Sequence, residues 1–448
     1  MAIRCIQLLL TLASVWPLLL QAQQWKPCGT SVLQHRRAML RSQSMSAPTR
    51  SATSVPVIYV GEKRGLVILV SFPNRSFSEA DPKAAWTARI CEEGYSEKGS
   101  PGSVSDYFRD QSYGRFQIRF DVVGPVEMSQ PYEYYGKNVY WEFFDDTFDR
   151  ADGEMVEEAC RAVADSVHFA DYDWNGDGMV EQVFLLYAGY GESDYWKKDK
   201  NVIWPHMGQL TYDWFYSEPL RLQDVDIDVY ACSNEINIYD AIIGIGTMCH
   251  EFSHCLGLPD LYNTLSGVSV VGNYDLMDSG NNNSNGWCPP GYSSYERYAC
   301  GWINPQPIDD PKAFVDSGEA ALLQPLHLEP DVRIYQPADT SAYYLIERRE
   351  NDSWDASLPR AGVQAWYIDY DEEAWTNNVV NVDFNHRRVM RLAVGDIPSA
   401  IASPVGEAAP QPVAVYDLYG RQYPLSVLQT PHASLLIVRF SDGTVQKR

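Results

Sequence analysis

The hydrophobic and polar residues of this chain follow several different periods, and each period predicts a different element. Continuous apolar runs begin at Gly65 and at Val183, and they read G-L-V-I-L-V-S-F and V-F-L-L-Y-A-G. Such runs are typical of strands that are buried on both faces of a sheet. A capping serine, Ser103 or Ser105, begins a predicted short helix that ends near Tyr113, before an alternating strand.

Helical periodicity returns between Glu154 and Val167, and small apolar residues from Ala241 to Met248 predict a third helix that can be buried. From Pro307 the pattern changes to short alternating strands between turns, which favours one or two β-sandwich modules. The chain is therefore predicted to be α+β, with a mixed sheet and an active-site helix, followed by C-terminal β-sandwich modules.

The third predicted helix carries the clearest chemistry, because it contains H-E-F-S-H. His250 and His254 are four residues apart and hence on one helix face, where two imidazoles can hold one zinc ion. Glu251 can reach a water on the metal as a general base without ligating the metal. The alternative is a chance match on a core helix.

A third metal ligand is predicted from the end of this helix. Gly257 can adopt the backbone conformation that ends a helix, so that the chain turns and brings Asp260 back toward the metal. Three protein ligands leave one position for water, as in catalytic zinc sites. Glu296 is the alternative third ligand, as in a different class of zinc hydrolase.

A second possible metal site is the acidic segment D-Y-D-W-N-G-D-G-M-V-E, which begins at Asp171. Oxygen ligands on alternate residues, followed by a glycine and an apolar anchor, are typical of structural calcium loops. The usual glutamate at position twelve is missing, since Phe184 stands there. A solvated acidic turn is the alternative. The predicted calcium ligands are Asp173, Asn175, Asp177 and Met179 through its carbonyl, with Glu181 or Asp171 in compensation.

Composition narrows the possible partners. The chain has 448 residues, enough for two or three cores, and a formal net charge of -24. This charge disfavours nucleic acid and anionic membranes as partners, because phosphate binding needs a basic surface. We expect a monomer that acts on proteins or peptides.

The N-terminus predicts export. Arg4 precedes an apolar run from Ile6 to Leu20, the layout of a signal peptide cut near Ala22; a single-span anchor is the alternative. No later stretch is expected to span a membrane, so the mature protein is predicted to be secreted or held at a bacterial cell surface. Residues 23–56 are predicted to be a pro-segment or linker.

The cysteines of an exported chain can form disulfides. Cys288 with Cys300 is the first expected pair, and burial of both as free thiols is the alternative. In the predicted pro-segment, Cys28 followed by glycine could occupy the open zinc position and keep a zymogen latent; a disulfide or an inert thiol is the alternative.

Taken together in order, these motifs resemble the immune inhibitor A family of bacterial secreted metallopeptidases over about residues 60–395. The resemblance also rests on D-Y-F-R-D-Q-S-Y-G, I-W-P-H, Y-D-L-M-D, Y-E-R-Y-A-C-G-W and Y-Y-L-I-E-R-R-E-N-D-S-W-D. It implies a metzincin-like catalytic domain in which Met277 forms a hydrophobic floor beneath the metal. It also implies that His250, His254 and Asp260 bind zinc and that Glu251 is the acid/base. The last residues resemble type IX sorting domains.

The expected function is that of a secreted zinc endopeptidase with one catalytic zinc and a structural calcium. The alternatives are a secreted zinc amidase that acts on cell-wall peptides and a catalytically silent, calcium-dependent surface adhesin. The predicted regions are a signal peptide (1–22), a pro-segment or linker (23–56), a catalytic domain (57–305), a β-sandwich domain (306–397) and a small C-terminal β module (398–448).

Overall fold

A computed structural model describes residues 59–141, 146–194, 201–212, 216, 218–337, 340–393, 412–417, 422–423, 436–440 and 445–447. The predicted signal peptide, the pro-segment and Cys28 lie outside these ranges. Within them, every helix is too short or too polar to span a lipid bilayer.

The main sheet has five strands in the order β2-β1-β6-β10-β7. The first four strands are parallel, and the edge strand β7 is antiparallel to β10. The strands of this region are β1 (Gly61–Ser71), β2 (Phe116–Glu127), β3 (Asn138–Trp141), β4 (Asp146–Asp149), β5 (Met179–Val180), β6 (Val183–Tyr190), β7 (His206–Gln209), β8 (Leu220–Leu222), β9 (Val225–Ile227) and β10 (Val229–Ile236).

Helices cover both faces of this sheet. They are α1 (Pro82–Cys91), α2 (Val104–Gln111), α3 (Tyr132–Tyr135), α4 (Asp152–Val163) and α5 (Gly246–Cys255). The later helices are α6 (Ser294–Ala299), α7 (Pro311–Asp316) and α8 (Glu372–Thr376). In β1, Val67 and Leu69 pack in the cluster that contains α5, whereas Leu66 and Ile68 pack in the cluster that contains α4. Burial on both faces explains the continuous apolar run, and the predicted mixed sheet is confirmed.

The residues around Ser103 determine where α2 begins. The side chain of Ser103 accepts a hydrogen bond from Asp106 N, and the Asp106 carboxylate accepts one from Ser103 N. This reciprocal cap satisfies two donors that the first helical turn leaves without partners. The predicted helix is therefore present, and Ser103 rather than Ser105 begins it.

The C-terminal part is β-rich, as predicted. A second sheet has the order β11-β12-β13-β14-β15, and a third has the order β17-β16-β18-β19. Their strands are β11 (Gln306–Pro307), β12 (Arg333–Tyr335), β13 (Tyr343–Arg349), β14 (Gly362–Ile368), β15 (Val389–Leu392), β16 (Pro412–Asp417), β17 (Gln422–Tyr423), β18 (Leu436–Phe440) and β19 (Val445–Lys447).

One face of the second sheet joins the core of the first. Leu345, Trp366 and Ile368 are fully buried in the same cluster as Val67 and Phe252 of α5. The opposite face packs in a smaller cluster with Phe314 of α7. Residues on both sides of position 305 thus share one hydrophobic core, and the division into separate domains stays a prediction.

Candidate metal centre

The metal-site helix α5 begins at Gly246, five residues later than the predicted start at Ala241. A Cβ atom at Gly244 would lie 2.1 Å from the backbone carbonyl carbon of Gly286, and one at Gly246 would lie 1.9 Å from the carbonyl oxygen of Asn281. The small residues before the helix therefore allow the backbone to pass close to the loop at 281–286, and they do not form an additional helical turn.

The structure brings His250, His254 and Asp260 together. One ligand atom from each lies within 4.8 Å of the other two, and all three residues are buried. The Nε2 atoms of His250 and His254 lie 3.1 and 3.5 Å from the same Asp260 oxygen, Oδ1. Two imidazoles and one carboxylate are a donor set that fits a catalytic zinc ion with a position open for water.

Backbone carbonyls orient both imidazoles. His250 Nδ1 lies 2.8 Å from the carbonyl oxygen of Leu276, and His254 Nδ1 lies 2.8 Å from that of Leu258. A carbonyl oxygen can only accept, so each Nδ1 carries the proton and each neutral ring presents its Nε2 lone pair toward Asp260. Both rings are thus held in the tautomer that a metal requires.

The two turns that supply these carbonyls are the ones singled out in the sequence. Gly257 has φ +82° and ends α5, which allows Leu258 to reach back to His254. Met277 is fully buried, and its carbonyl oxygen accepts a hydrogen bond from Leu261 N. The methionine turn therefore packs beside the segment that carries Asp260.

Glu251 lies next to the cluster, with Oε2 4.0 Å from Nε2 of His254. Burial raises the pKa of its carboxyl group, and protonation of His250 or His254 would oppose that shift. For Asp260, burial also acts to raise the pKa, but the two imidazoles outweigh it and hold the pKa below its ordinary value. The two carboxyl groups thus differ in character: Asp260 is an anionic partner of the imidazoles, and Glu251 has more affinity for a proton.

Asn378 completes the surroundings of Asp260. Its Nδ2 donates to Asp260 Oδ2 at 2.5 Å, and its Oδ1 accepts from Asp260 N at 2.7 Å. Its carbonyl oxygen also accepts a hydrogen bond from the hydroxyl of Thr264. Sequence reasoning missed this residue because it lies 118 positions from its partner.

The predicted calcium segment forms a tight loop in which backbone amides surround Asp173. Its carboxylate accepts hydrogen bonds from the N–H groups of Gly176, Asp177 and Gly178. Val180 is buried, as an anchor should be. Among the described residues, His250, His254 and Asp260 are the one group of three His, Cys, Asp or Glu side chains whose ligand atoms lie within 4.8 Å of one another, so calcium binding by this loop stays a prediction.

Two other predicted loop ligands have different surroundings. Asp171 forms ion pairs with Arg64 and His168. Glu181 accepts a hydrogen bond from Trp174 N at 2.6 Å. Burial raises the pKa of Glu181 to about 7, and the negative charges of Asp173 and Asp177 act in the same direction. The hydrogen bond from Trp174 N acts in the opposite direction and lowers this pKa. Asn175 accepts from Asp177 N, and Asp177 accepts from Met179 N.

Several alternatives from the sequence do not fit the structure. Glu296 caps α6 through hydrogen bonds from Ser293 and lies outside the metal cluster.

The expected Cys288–Cys300 disulfide is wrong, since both cysteines are free thiols. Cys288 Sγ faces the carbonyl oxygen of Trp354, and Cys300 packs in the main core, so their short sequence separation does not make them neighbours.

Two histidine ligands and a glutamate on one helix, with an aspartate ligand from the segment that follows the helix, are the arrangement of a metallopeptidase catalytic domain. Residues 89–299, somewhat less than half of the chain, match the family described as "Immune inhibitor A peptidase M6, catalytic domain". Residues 89–299 are therefore similar to the catalytic domain of this family, and the resemblance seen in the sequence is confirmed over that region.

A relative in this family is immune inhibitor A of Bacillus thuringiensis subsp. alesti. It is 25% identical over 182 residues, which cover 36% of this chain and 26% of the relative. The match thus spans about a quarter of that relative's length. The family match contains the metal cluster, whereas Asn378 lies beyond its C-terminal end.

Proposed function

We propose that this protein is an exported zinc endopeptidase. The observation that carries the proposal is the convergence of His250, His254 and Asp260 within 4.8 Å, with the Glu251 carboxylate beside them. When bound there, zinc supplies Lewis-acid activation of water and of the scissile carbonyl. The family match supports a peptidase and does not favour the amidase or the silent adhesin.

The side chains have distinct roles in this proposal. His250, His254 and Asp260 hold the metal, and the carbonyls of Leu276 and Leu258 fix the two imidazoles. Glu251 accepts the proton of the attacking water on its carboxylate and passes it to the nitrogen of the leaving amine.

The match of residues 89–299 to a peptidase catalytic domain supports a peptide as the substrate. The proposal is tested by a chelator-sensitive casein assay run beside a peptidoglycan assay. Cleavage of casein, lost with the metal and restored by zinc, is expected; hydrolysis of peptidoglycan alone would instead identify an amidase.

The proposals that the protein is exported, that it is made as a latent zymogen and that it is released from or attached to the cell surface rest on the sequence. The layout of residues 1–22 supports a signal peptide, and the position of Cys28 in the following segment supports a latent zymogen. The resemblance of the last residues to sorting domains supports release or attachment at the cell surface.

Replacement of Asn378 by aspartate is predicted to weaken zinc binding roughly 10- to 100-fold, the usual effect of losing a residue that orients a metal ligand. The change keeps an acceptor for Asp260 N but places a carboxylate against Asp260 Oδ2. Zinc affinity is measured by competition with a chromogenic chelator. Asn385→Asp is the control, because Asn385 is exposed in the same region. An Asn378→Asp variant with the parent's zinc affinity and thermal stability would show that Asp260 does not need this partner.

We also propose that the loop from Asp171 to Glu181 binds a structural calcium ion, with its acidic and carbonyl oxygens as ligands. A folded-state pKa of about 7 for Glu181, against 4.5 ordinarily, means that the folded protein binds a proton more tightly than the unfolded chain. This contribution to stability is present below pH 4.5 and is lost as the pH rises toward 7. Calcium should reverse the loss by stabilising the carboxylate.

Thermal unfolding between pH 4.5 and 7 tests this prediction. Without calcium, stability should fall across this range, and excess calcium should abolish the fall. Glu181→Gln should reduce the pH dependence and make it insensitive to calcium, whereas Asp165→Asn, at an exposed position outside the loop, should behave like the parent. An identical pH dependence with and without calcium would contradict the proposed site.

A further inference from the structure

A cavity of about 300 Å³ lies between α2, α6 and the segments at His327 and Trp354, and it is separate from the metal cluster. This volume is at the lower end of the range that small-molecule pockets occupy. The cavity is lined by Arg109, Asp110, Gln111, Tyr113, Gly114, Arg297, His327, Ser353 and Trp354. Basic and amide side chains thus surround an internal space in a strongly acidic protein.

Three polar atoms of this lining are buried without a hydrogen-bond partner in the described part of the chain. They are Arg297 Nη1, Gln111 Nε2 and His327 Nδ1. Arg297 is only 2% exposed and Gln111 is fully buried. Buried donors are nearly always satisfied in folded proteins, so these atoms indicate a missing acceptor.

The orientation of the Gln111 amide is fixed by its neighbours. Its Oε1 accepts hydrogen bonds from Tyr292 N at 2.9 Å and from Arg297 Nη2 at 2.8 Å. Both of these atoms are donors, so the oxygen must face them and the Nε2 donor must be the atom left over. Gln111 and Arg297 therefore each have one donor left for an occupant of the cavity.

The charge of Arg297 leads to the same conclusion. Its hydrogen-bond acceptors are neutral, namely the carbonyl oxygen of Tyr292 and the side-chain oxygen of Gln111. The neighbouring Arg349 is ion-paired with Asp355, and Arg109 is ion-paired with Asp106. Within the described residues no carboxylate lies at ion-pair distance from Arg297. The Arg297 guanidinium also lies over the ring of Tyr113, 4.9 Å from its centroid, and Glu347 lies 3.8 Å from Arg349. These contacts offset part of the cost of burying the charge, and an anion at the free Nη1 donor would offset more of it.

The carboxylates nearest the cavity are already engaged. Asp110 lines it, but its two oxygens accept hydrogen bonds from Arg109 and from Trp354 Nε1. The N-terminal segment of this chain cannot provide the anion from a side chain, since residues 1–58 contain no aspartate or glutamate.

We propose that this cavity binds a small oxyanion, either inorganic phosphate or sulfate or the carboxylate of a small organic acid. Arg297 Nη1 and Gln111 Nε2 donate to its oxygens, and His327 provides a third polar contact. Guanidinium and amide donors are the groups that proteins use to bind such oxygens. The proposal does not depend on the peptidase activity.

Titration calorimetry on the full chain tests the proposal, with sodium phosphate, sulfate and acetate as probes at constant ionic strength. Saturable binding of one anion per chain is expected. Tighter binding of phosphate or sulfate would identify a tetrahedral inorganic anion, and tighter binding of acetate would identify an organic carboxylate. Absence of saturable binding for all three probes would overturn the proposal and leave a cavity filled with water.

Gln111→Glu places a carboxylate beside Arg297 and should weaken binding of the preferred probe at least about tenfold, because the protein then supplies its own anion. Gln117→Glu, at an exposed position on β2, makes the same change of charge and should bind like the parent. His327→Ala, outside the most buried part, should also weaken binding and provides a readout if Gln111→Glu does not fold. Parent-like affinity in folded Gln111→Glu or in His327→Ala would place the anion elsewhere, including at the metal centre.

Discussion

Replacing Glu251 with glutamine should abolish peptide-bond hydrolysis while the protein stays folded and keeps its zinc. The amide has nearly the shape of the carboxylate, but it cannot accept the proton of the attacking water. General acid–base groups contribute roughly 100- to 10,000-fold to the rate, so kcat should fall by about that factor. The ligand atoms of His250, His254 and Asp260 are unaffected by this change.

The measurement pairs casein turnover with zinc content for the parent and for Glu251→Gln. Glu93→Gln is the matched control, because the Glu93 side chain is 88% exposed and its removal should leave both quantities unchanged. A Glu251→Gln variant with the parent's kcat would exclude Glu251 as the general base. Loss of zinc together with activity would mean instead that Glu251 helps to hold the metal.

Truncation after residue 305 should produce a chain that neither folds normally nor binds zinc, although it contains every predicted metal ligand. Leu345, Trp366 and Ile368 belong to the main core, and each buried side chain of this kind contributes roughly 1.5–3 kcal/mol. Together they approach the whole stability of a typical domain, about 5–15 kcal/mol. The truncation also removes Asn378, which binds Asp260, and Asn381, which donates to the carbonyl oxygen of Leu261.

Near-ultraviolet circular dichroism and zinc content measure the outcome. A chain that ends after residue 393 retains the second sheet and is the control, with normal folding and one zinc ion expected. A cooperative, zinc-binding product from the chain that ends at 305 would show that the first region is independent of the second sheet.

Local sequence patterns predicted the features that depend on nearby residues. The apolar runs at Gly65 and Val183 become β1 and β6 because burial on both faces leaves no polar positions. Ser103 and Asp106 define the start of α2 because a capping box needs only a four-residue segment. The four-residue spacing of His250 and His254 likewise sets their common face, and Gly257 has the positive φ that the turn requires.

Contacts between distant segments were not predictable in the same way. Nothing near Asn378 marks it as a partner of Asp260, because the contact forms only when the second sheet packs on the first. The late start of α5 has the same origin, since Gly244 and Gly246 face the loop at 281–286. Cys288 and Cys300 are close in sequence, but their side chains pack in different surroundings.

His250, His254 and Asp260 are expected to hold one zinc ion together. Anomalous diffraction from crystals of the purified protein, recorded just above and just below the zinc absorption edge, tests it most directly. We predict one strong zinc peak at about 2.0–2.2 Å from Nε2 of His250, Nε2 of His254 and a carboxylate oxygen of Asp260. A zinc peak bound by other residues, or no peak in crystals of protein that cleaves casein, would contradict the account.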